Sequence, residues 1–390
     1  MSRPALGHQI EQVPPSGIRA LANAAWAHPD AVHLEFGEPD WPTPPAIVDA
    51  AYRAARAGHT RYAPSAGIPA LREAVCAKLV RDNGLAEISP DQVLVTAGGV
   101  GGLHSAYRAV LDQDDEILVP DPGWPNLASI ALAVGARPVR YALDPATGGF
   151  AGRAGLEAVR TARTRAVVLN TPSNPTGAVW SDADQAELGE WAAKHGLWVV
   201  SDECYDQLWF DRPNTTFSVA APMAASITAF SLSKTYPMTG WRVGYAVAAP
   251  ATIARMTRVQ ETIASSVNTV TQWAAVQALS GPQEVAGQMR QAYRERRDAA
   301  VSAATELELT HTVPAGAFYL WLSLPDEITD TARFALDFLQ ARGVATAPGS
   351  AFGPAGRSHL RLSLAAERSA IVHGLSQLAD FLRTERRLPR

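Results

Sequence analysis

The sequence predicts a two-domain α/β protein with a mostly parallel central sheet. The chain has 390 residues, which is too many for a single ordinary hydrophobic core. From about residue 44 to residue 280, helical patterns alternate with short apolar runs, as in sheets wound from strand and helix units. Side chains suited to chemistry follow the predicted strands at their carboxyl ends, which is the edge where open α/β sheets bind ligands.

The short apolar runs of this region predict the strands of the larger sheet. Helical periodicity occupies several of the intervals between them, and the last of these helices ends at His195-Gly196, a suitable C-terminal stop. The predicted strands are residues 92–96, 116–119, 166–170, 197–201, 227–232 and 243–248, and the predicted helices are 46–57, 68–83, 102–111 and 183–195.

The pattern changes after Gly281-Pro282. A long predicted helix over 283–306 is followed by short strands and another helix, which together indicate a smaller α+β domain. We expect the segment before Trp41 to complete that domain. The sequence therefore predicts a large domain over 46–282 and a small domain built from 1–45 and 283–390. The short elements of the small domain are strands 317–322 and 359–364 and helix 332–342.

The composition is that of a soluble globular protein, with 47% hydrophobic and 18% charged residues. A formal net charge of −4 gives no support for nucleic-acid or membrane binding as the main activity. The two cysteines, Cys76 and Cys204, form no C-x-x-C pair, so no disulfide framework or metal site is indicated. The first 17 residues lack the apolar core of a signal peptide, and the sequence predicts a cytoplasmic enzyme without a metal ion.

The segment from Ser231 to Tyr245 places Lys234 at the end of an apolar run. Arg242 follows eight positions later, and two strands joined by a short Pro/Gly loop would return it towards Lys234. A lysine amine can form a Schiff base with an aldehyde cofactor, while Ser231, Ser233 and Arg242 suit a phosphate group. This segment resembles the lysine motif of the class I aminotransferases, which use pyridoxal 5′-phosphate (PLP).

A glycine-rich turn and a tryptophan follow two earlier strands. Residues 96–102 read Thr-Ala-Gly-Gly-Val-Gly-Gly and open a helix, whose bare amides can hold a phosphate. The turn fits neither common nucleotide-binding pattern. The resemblance makes it the PLP phosphate cup, with the amides of Gly99 and Val100 as donors. It also makes Trp124 the aromatic residue that stacks on the cofactor ring.

Two further loops carry polar residues of the same family. The turn Asn-Pro-Thr-Gly begins at Asn174, and the resemblance implies that its side-chain amide binds the phenolic oxygen of the cofactor. Asp202 follows a buried strand and resembles the carboxylate that pairs with the ring nitrogen, with Glu203 as the competing candidate. Tyr205 resembles the phenol that donates to the same cofactor oxygen.

The alternating segment 358–363 predicts a strand that carries Arg361. Arg361 resembles the arginine that binds the α-carboxylate of the substrate, and Arg357 is its local competitor. The backbone of Gly37 resembles the part of an N-terminal loop that approaches the same carboxylate. Tyr62 resembles a tyrosine that reaches the phosphate of the neighbouring subunit, so a homodimer with shared active sites is implied. Asn268 is a further candidate from the neighbour.

The resemblance covers about residues 35–365 and implies a fold-type I enzyme. The implied activity is a ping-pong transfer of an α-amino group from an amino acid to a 2-oxo acid, with Lys234 moving the proton and PLP as cofactor. A β-eliminating C–S lyase on the same scaffold is the alternative. A PLP-dependent regulator is disfavoured, because only about 35 residues precede the first motif, too few for a DNA-binding domain.

The identity of the amino donor depends on the position after Gly99. Some aspartate aminotransferases that resemble this chain have a lysine there for the distal carboxylate, whereas this chain has Val100. An unpaired carboxylate in a partly desolvated pocket is costly. Val100, Trp41 and Ile18 instead predict an apolar wall and a neutral, medium or large donor, with 2-oxoglutarate or pyruvate as acceptor. Arg19, Arg61 or a residue of the neighbouring subunit could replace the missing charge.

Overall fold

The computed structural model describes residues 10–222 and 224–385. Within these ranges the chain forms a seven-stranded sheet and a five-stranded sheet, and helices pack on both. The α/β prediction, with a mostly parallel larger sheet and a smaller α+β part, is confirmed. The strands are β1 Val32–Leu34, β2 Val93–Thr96, β3 Glu116–Asp121, β4 Arg137–Ala142, β5 Thr164–Asn170, β6 Trp198–Asp202, β7 Ser226–Ser231, β8 Gly244–Ala248, β9 His311–Thr312, β10 Tyr319–Ser323, β11 Val344–Pro348 and β12 His359–Ser363.

The larger sheet has the strand order β2-β8-β7-β6-β5-β3-β4. Neighbouring strands are parallel except for β8, which is antiparallel to both β2 and β7. The chain therefore returns beside itself after β7, and Gly244 pairs with Ser231. This pairing brings Arg242 back to the end of the strand that precedes Lys234.

Helices cover both faces of the larger sheet, which explains why its central strands are almost continuously apolar. On one face α4 (Gly98–Val110) packs with α5 (Pro125–Ala133) and α10 (Pro250–Ala264), and Tyr107 of α4 is fully buried; on the other face α7 (Asp182–Lys194) buries Trp191. No helix in the described ranges is long and apolar enough to cross a membrane. The helices are α1 Gly17–Trp26, α2 Pro45–Arg56, α3 Pro69–Asn83, α4 Gly98–Val110, α5 Pro125–Ala133, α6 Arg153–Val159, α7 Asp182–Lys194, α8 Phe217–Ala220, α9 Leu232–Thr235, α10 Pro250–Ala264, α11 Thr269–Ser280, α12 Glu284–Glu306, α13 Thr331–Arg342 and α14 Arg368–Glu385.

The smaller sheet joins the two ends of the described chain. Its strand order is β1-β11-β12-β10-β9, and β1 pairs with β11 in parallel, so that Val32 lies opposite Val344. Helices α12, α13 and α14 pack around a core that includes Phe318 and Phe338. The division into 46–282 and a small domain of 1–45 and 283–390 stays a prediction. Residues 1–9 and 386–390 of that division lie outside the described ranges.

Two local differences from the sequence-based expectation affect the site. The helix expected from residue 102 begins at Gly98, so Gly99 and Val100 lie in its first turn. Lys234 lies in the single turn α9 and not at a strand end, since the Ser231 hydroxyl accepts a hydrogen bond from the Ser233 amide and starts this turn.

The sequence does not predict strand β4. This strand lies at the edge of the sheet, its side chains are mostly partly exposed, and it carries two arginines, so it lacks the apolar run of a buried strand.

Candidate active site

A cavity of about 890 Å³ lies at the carboxyl edge of the larger sheet and extends to the smaller sheet. The loops after β2, β3, β5, β6 and β7 line this cavity, because parallel strands place their carboxyl ends at the same edge of the sheet. Twelve of the cofactor- and substrate-binding residues predicted from the sequence line it, and Tyr62 does not. These residues are Gly37, Gly99, Val100, Trp124, Asn174, Asp202, Tyr205, Ser231, Ser233, Lys234, Arg242 and Arg361.

Lys234 has the properties of a nucleophilic amine. Its Nζ donates a hydrogen bond to the backbone carbonyl of Gly37 at 2.6 Å. Burial lowers the pKa of the Lys234 amine to about 8, and the positive charges of Arg242 and Arg361 act in the same direction. A larger share of the amine is therefore neutral near neutral pH than for an exposed lysine, which favours attack on a carbonyl carbon.

The first turn of α4 and Arg242 form a seat for an anion. No side chain caps this helix at Ala97, so its first amides keep their donor capacity. A Cβ at Gly98 would lie 2.8 Å from Arg242 Nη2, and a Cβ at Gly99 would collide with Cys204 Sγ. Only glycines allow the backbone, the guanidinium and the cavity floor to approach this closely. Ser231 and Ser233 add hydroxyl groups to the same cavity.

Asp202 is a buried carboxylate at the end of β6. Its Oδ1 accepts a hydrogen bond from the Cys204 amide at 3.2 Å. Burial raises the pKa of Asp202, and the hydrogen bonds from Cys204 and the charge of Lys234 offset this only in part. A cationic ring nitrogen in the cavity would supply the missing counter-charge, so Asp202 fits a pyridinium partner.

Glu203 points away from the cavity. Its Oε1 accepts hydrogen bonds from the Ser201 hydroxyl and the Phe217 amide, both at 2.9 Å, and burial raises the pKa of Glu203 to about 7. The geometry therefore favours Asp202 over Glu203 as the partner of a ring nitrogen. Among the residues that the structure describes, no group of three or more His, Cys, Asp or Glu side chains is placed to hold a metal ion.

Arg361 is a buried guanidinium that lines the cavity, with 2% of the residue exposed. Its Nη1 donates to Asn174 Oδ1 at 2.9 Å, and its Nη2 donates to the backbone carbonyl of Glu35. Its Nε has no hydrogen-bond partner among the described residues. A planar cation with donor capacity left over is suited to bind a carboxylate. Arg357 is the alternative that the sequence left open. It is exposed and donates to the backbone of Pro354, so it does not take the place of Arg361 in the cavity.

Asn170 connects two of these positions. Its Oδ1 accepts a hydrogen bond from the Asn174 amide at 2.7 Å, and its Nδ2 donates to the backbone carbonyl of Asp202 at 3.0 Å. The two loops that carry Asn174 and Asp202 are therefore held together by one buried side chain. Trp124 begins α5, and the amide of Gly123 next to it donates to the carbonyl of Phe352 at 2.9 Å.

Three candidates lie outside the cavity. Tyr62 is 93% exposed. Asn268 and Trp41 line a neighbouring cavity of about 780 Å³, which shares Arg242 with the first. Trp41 therefore does not line the larger cavity, and its place in the wall of the substrate pocket stays a prediction. Asp40 beside it forms a two-pronged ion pair with Arg296 of α12 at 2.8 and 2.9 Å.

The cavity also contains two aromatic residues that the sequence did not identify, Trp26 and Phe36. Trp26 and Phe36 stack with ring centroids 5.8 Å apart, and the Arg19 guanidinium lies 4.9 Å from the Phe36 centroid. Ile18 and Val100 line the same cavity, as expected. No local pattern marks Trp26 or Phe36, because one ends a helix and the other follows a strand, and they meet only in the folded chain.

Comparison with known proteins gives concordant matches. The family described as aminotransferase class I and II matches residues 29–375. The chain is 39% identical to an aspartate aminotransferase of Streptomyces avermitilis over 360 residues, which covers 89% of this chain and 88% of that protein. It is 37% identical to an aspartate/prephenate aminotransferase of Cereibacter sphaeroides, with 96% and 98% covered. The solved structure of the Thermus thermophilus aspartate aminotransferase with maleate has a TM-score of 0.91 and 35% identity, with 97% and 100% covered.

Proposed function

The chain belongs to the class I and II aminotransferases, and we propose that its cavity of about 890 Å³ binds PLP for the transfer of amino groups. The family resemblance, the fold-type I architecture and the amino-acid aminotransferase activity that the sequence predicts are confirmed by the matches. The observation that carries the cofactor proposal is the placement of a buried amine, a buried carboxylate and an uncapped helix start around a single cavity.

Each of these groups has a distinct role in binding the cofactor. When bound, PLP supplies an aldehyde that bonds to an amine and a ring that accepts the electron pair of a broken Cα–H bond. Asp202 holds a proton on the ring nitrogen, and Asn174 and Tyr205 donate to the phenolic oxygen. Trp124 packs on the ring face. The phosphate is held by the amides of Gly99 and Val100 and by Ser231, Ser233 and Arg242.

Lys234 performs the proton transfer. Arg361 binds the α-carboxylate of the amino acid and orients its Cα–H bond. With PLP bound to activate the Cα–H bond, the Lys234 amine would be the base that takes the proton from Cα and the acid that returns it, and the product would be a 2-oxo acid. A second 2-oxo acid reverses the sequence, which gives ping-pong kinetics.

The outer end of the cavity supports a neutral donor of medium or large size. Val100 and Ile18 are apolar, and Trp26 and Phe36 present stacked rings. Each well-fitted aliphatic or aromatic side chain gains roughly 1.5–3 kcal/mol on burial. Arg19 is the cation placed to meet a distal carboxylate, whereas Arg61 does not line the cavity. Dicarboxylic acceptors such as 2-oxoglutarate would use Arg19, and pyruvate would not need it.

A half-reaction with different donors tests this function. We expect phenylalanine, leucine and methionine, each mixed with the loaded protein without an acceptor, to convert the cofactor to its amine form faster than aspartate does. The conversion is followed by absorbance and by chromatography of the released cofactor. A donor with a sulfur leaving group on its β-carbon, such as an S-alkylcysteine, tests the alternative: retention of the aldehyde form with release of ammonia from that donor would indicate the eliminating lyase. Aspartate reacting tenfold faster than the neutral donors would overturn the apolar-pocket proposal and leave the aminotransferase assignment intact.

The matched variant is Arg19→Met, which keeps the apolar stem on Phe36 and removes the charge. A hydrogen bond to a charged group contributes about 1.5–3 kcal/mol, so kcat/KM for 2-oxoglutarate should fall by roughly 10- to 100-fold. Pyruvate has no distal carboxylate and should react as with the unmodified protein. Equal losses for both acceptors would mean that Arg19 supports the cavity wall and not the distal charge.

We also propose a homodimer in which Tyr62 completes the phosphate site of the neighbour. Two observations support it: Tyr62 lies in a segment that resembles the family's subunit-crossing tyrosine, and it is 93% exposed in the single chain, which leaves its side chain accessible to a neighbour. Tyr62→Phe should weaken PLP binding by roughly tenfold, because one hydrogen bond to a charged phosphate is lost. Equilibrium dialysis measures the affinity, sedimentation verifies the dimer, and Tyr52→Phe is the control. Unchanged PLP affinity in an intact dimer would refute the proposal that Tyr62 reaches the neighbouring subunit.

The cytoplasmic location of the protein stays a prediction.

A further inference from the structure

Tyr319 is a cavity residue that sequence analysis did not single out. It begins β10, lines the cavity and is 1% exposed. Its hydroxyl oxygen lies 2.7 Å from the hydroxyl oxygen of Tyr205, and both side chains are buried. The two rings meet edge to face, with centroids 5.8 Å apart. A buried pair of phenols therefore forms one hydrogen-bonded unit.

The ring of Tyr319 also supports the guanidinium of Arg361. In the pairing of β10 with β12, Trp321 lies opposite Arg361 and Tyr319 opposite Ser363, so Tyr319 and Arg361 are diagonal neighbours on one face. The Arg361 Cζ atom lies 4.2 Å from the centroid of the Tyr319 ring. A desolvated cation over an aromatic face is attracted to the ring. The ring therefore supports one side of the guanidinium.

The Tyr319 hydroxyl is in addition packed against the backbone of Gly37. A Cβ placed on Gly37 would collide with this oxygen. The carbonyl of Gly37 is the acceptor for Lys234 Nζ. One side chain thus touches Tyr205, Arg361 and the loop that contacts Lys234.

We propose that Tyr319 is a positioning residue that orients the Tyr205 proton through its hydroxyl and the Arg361 guanidinium through its ring. This inference rests on the proposed function, since it requires a cofactor oxygen in front of Tyr205. To donate to that oxygen, Tyr205 must turn its proton into the cavity, and its own oxygen then accepts the proton of Tyr319. Chains of hydrogen bonds polarise one another, so the donation from Tyr319 strengthens the donation from Tyr205.

Two variants separate the two contacts. Tyr319→Phe removes only the hydroxyl, and Tyr319→Leu also removes the ring. For Tyr319→Phe we expect PLP affinity to fall by roughly 2- to 10-fold, as for one ordinary hydrogen bond. The pH midpoint of the spectral change of the bound cofactor should move upwards, because weaker donation from Tyr205 leaves the anionic oxygen less stabilised. Affinity for 3-phenylpropanoate, a carboxylate without an amino group, should stay within twofold.

Tyr319→Leu should in addition weaken 3-phenylpropanoate binding by roughly 5- to 30-fold, since the aromatic support of Arg361 is lost. Thermal unfolding without cofactor verifies that both variants fold. If Tyr319→Phe changes neither the midpoint nor the PLP affinity, or if Tyr319→Leu leaves carboxylate affinity intact, the respective contact has no positioning role.

A double-mutant cycle with Tyr205→Phe tests whether Tyr319 acts through Tyr205. In the Tyr205→Phe background, Tyr319→Phe should cause no further shift of the midpoint, because the oxygen that it positions is gone. An equal shift in both backgrounds would overturn the proposed relay. Failure of the proposed function itself is distinguishable, since the unmodified protein would then show no PLP-dependent absorbance at all.

Discussion

Replacing Lys234 with alanine is expected to slow turnover by roughly 10³-fold or more. In the proposed function the lysine both bonds to the cofactor and moves the proton, and positioned proton transfer alone contributes roughly 10²- to 10⁴-fold. The structure supports this dual role, because the amine is buried, faces the cavity and has a pKa lowered to about 8. Single-turnover kinetics with the preferred donor measures the loss, and Lys234→Ala should retain PLP without a covalent bond.

The chain is well suited to locating that bond. It has three lysines, Lys78, Lys194 and Lys234. Lys78 is buried in an ion pair with Asp206 and lies outside the cavity lining, and Lys194 is at the end of α7. Borohydride reduction of the loaded protein followed by peptide mapping should label Lys234, and Lys194→Ala is the matched control with normal turnover. A label on Lys78 or Lys194 would refute the assignment.

The lowered pKa also predicts how the unloaded protein takes up PLP. Only the neutral amine attacks an aldehyde, so the uptake rate should rise with pH and level off above about 8. An ordinary lysine would continue to gain reactivity up to about pH 10.4. The rate profile under stopped flow therefore reports directly on the burial of Lys234.

Asp202→Asn is the second change with a large expected effect. Asp202 is a buried carboxylate, and this substitution removes the negative charge that would hold the ring nitrogen protonated. An opposite charge nearby shifts a pKa by about 1–3 units, so the protonated fraction and the rate of Cα proton transfer should fall by roughly 10- to 10³-fold. PLP binding should weaken much less, because the phosphate contacts remain.

The Cα proton step is measured by loss of deuterium from an α-deuterated donor. Glu203→Gln is the control, since Glu203 is adjacent and buried but does not line the cavity. We expect it to leave proton exchange within a few fold. Nearly normal exchange in Asp202→Asn, with a large loss in Glu203→Gln, would reverse the roles of the two carboxylates.

Much of the candidate site could be predicted from the sequence, because its key residues come shortly after strands along the chain. Asp202 ends β6 and Asn174 lies four positions past the end of β5. The apolar runs predicted these strands, and parallel strands place their carboxyl ends at one edge. Closeness of the two side chains followed from pattern alone. The same holds for Arg242, since an antiparallel pair of strands returns it beside Lys234.

Tertiary structure alone decided contacts between distant segments. Tyr205 and Tyr319 are 114 positions apart, and no periodicity links a loop after β6 to the start of β10. The ion pair between Asp40 and Arg296 likewise joins residues that are 256 positions apart. The choice between Asp202 and Glu203 also depended on the tertiary structure, because it is Glu203 that accepts hydrogen bonds from Ser201 and Phe217.

The physical distinction is one of range. Hydrophobic periodicity and turn chemistry act between neighbours along the chain, so the sequence by itself determined the strands, their carboxyl-end loops and the lysine, aspartate and arginine that these loops carry. Tertiary packing determined which further side chains reach the cavity. Arg19, Phe36 and Tyr319 enter it through contacts between distant segments, because burial and hydrogen bonding there depend on three-dimensional proximity.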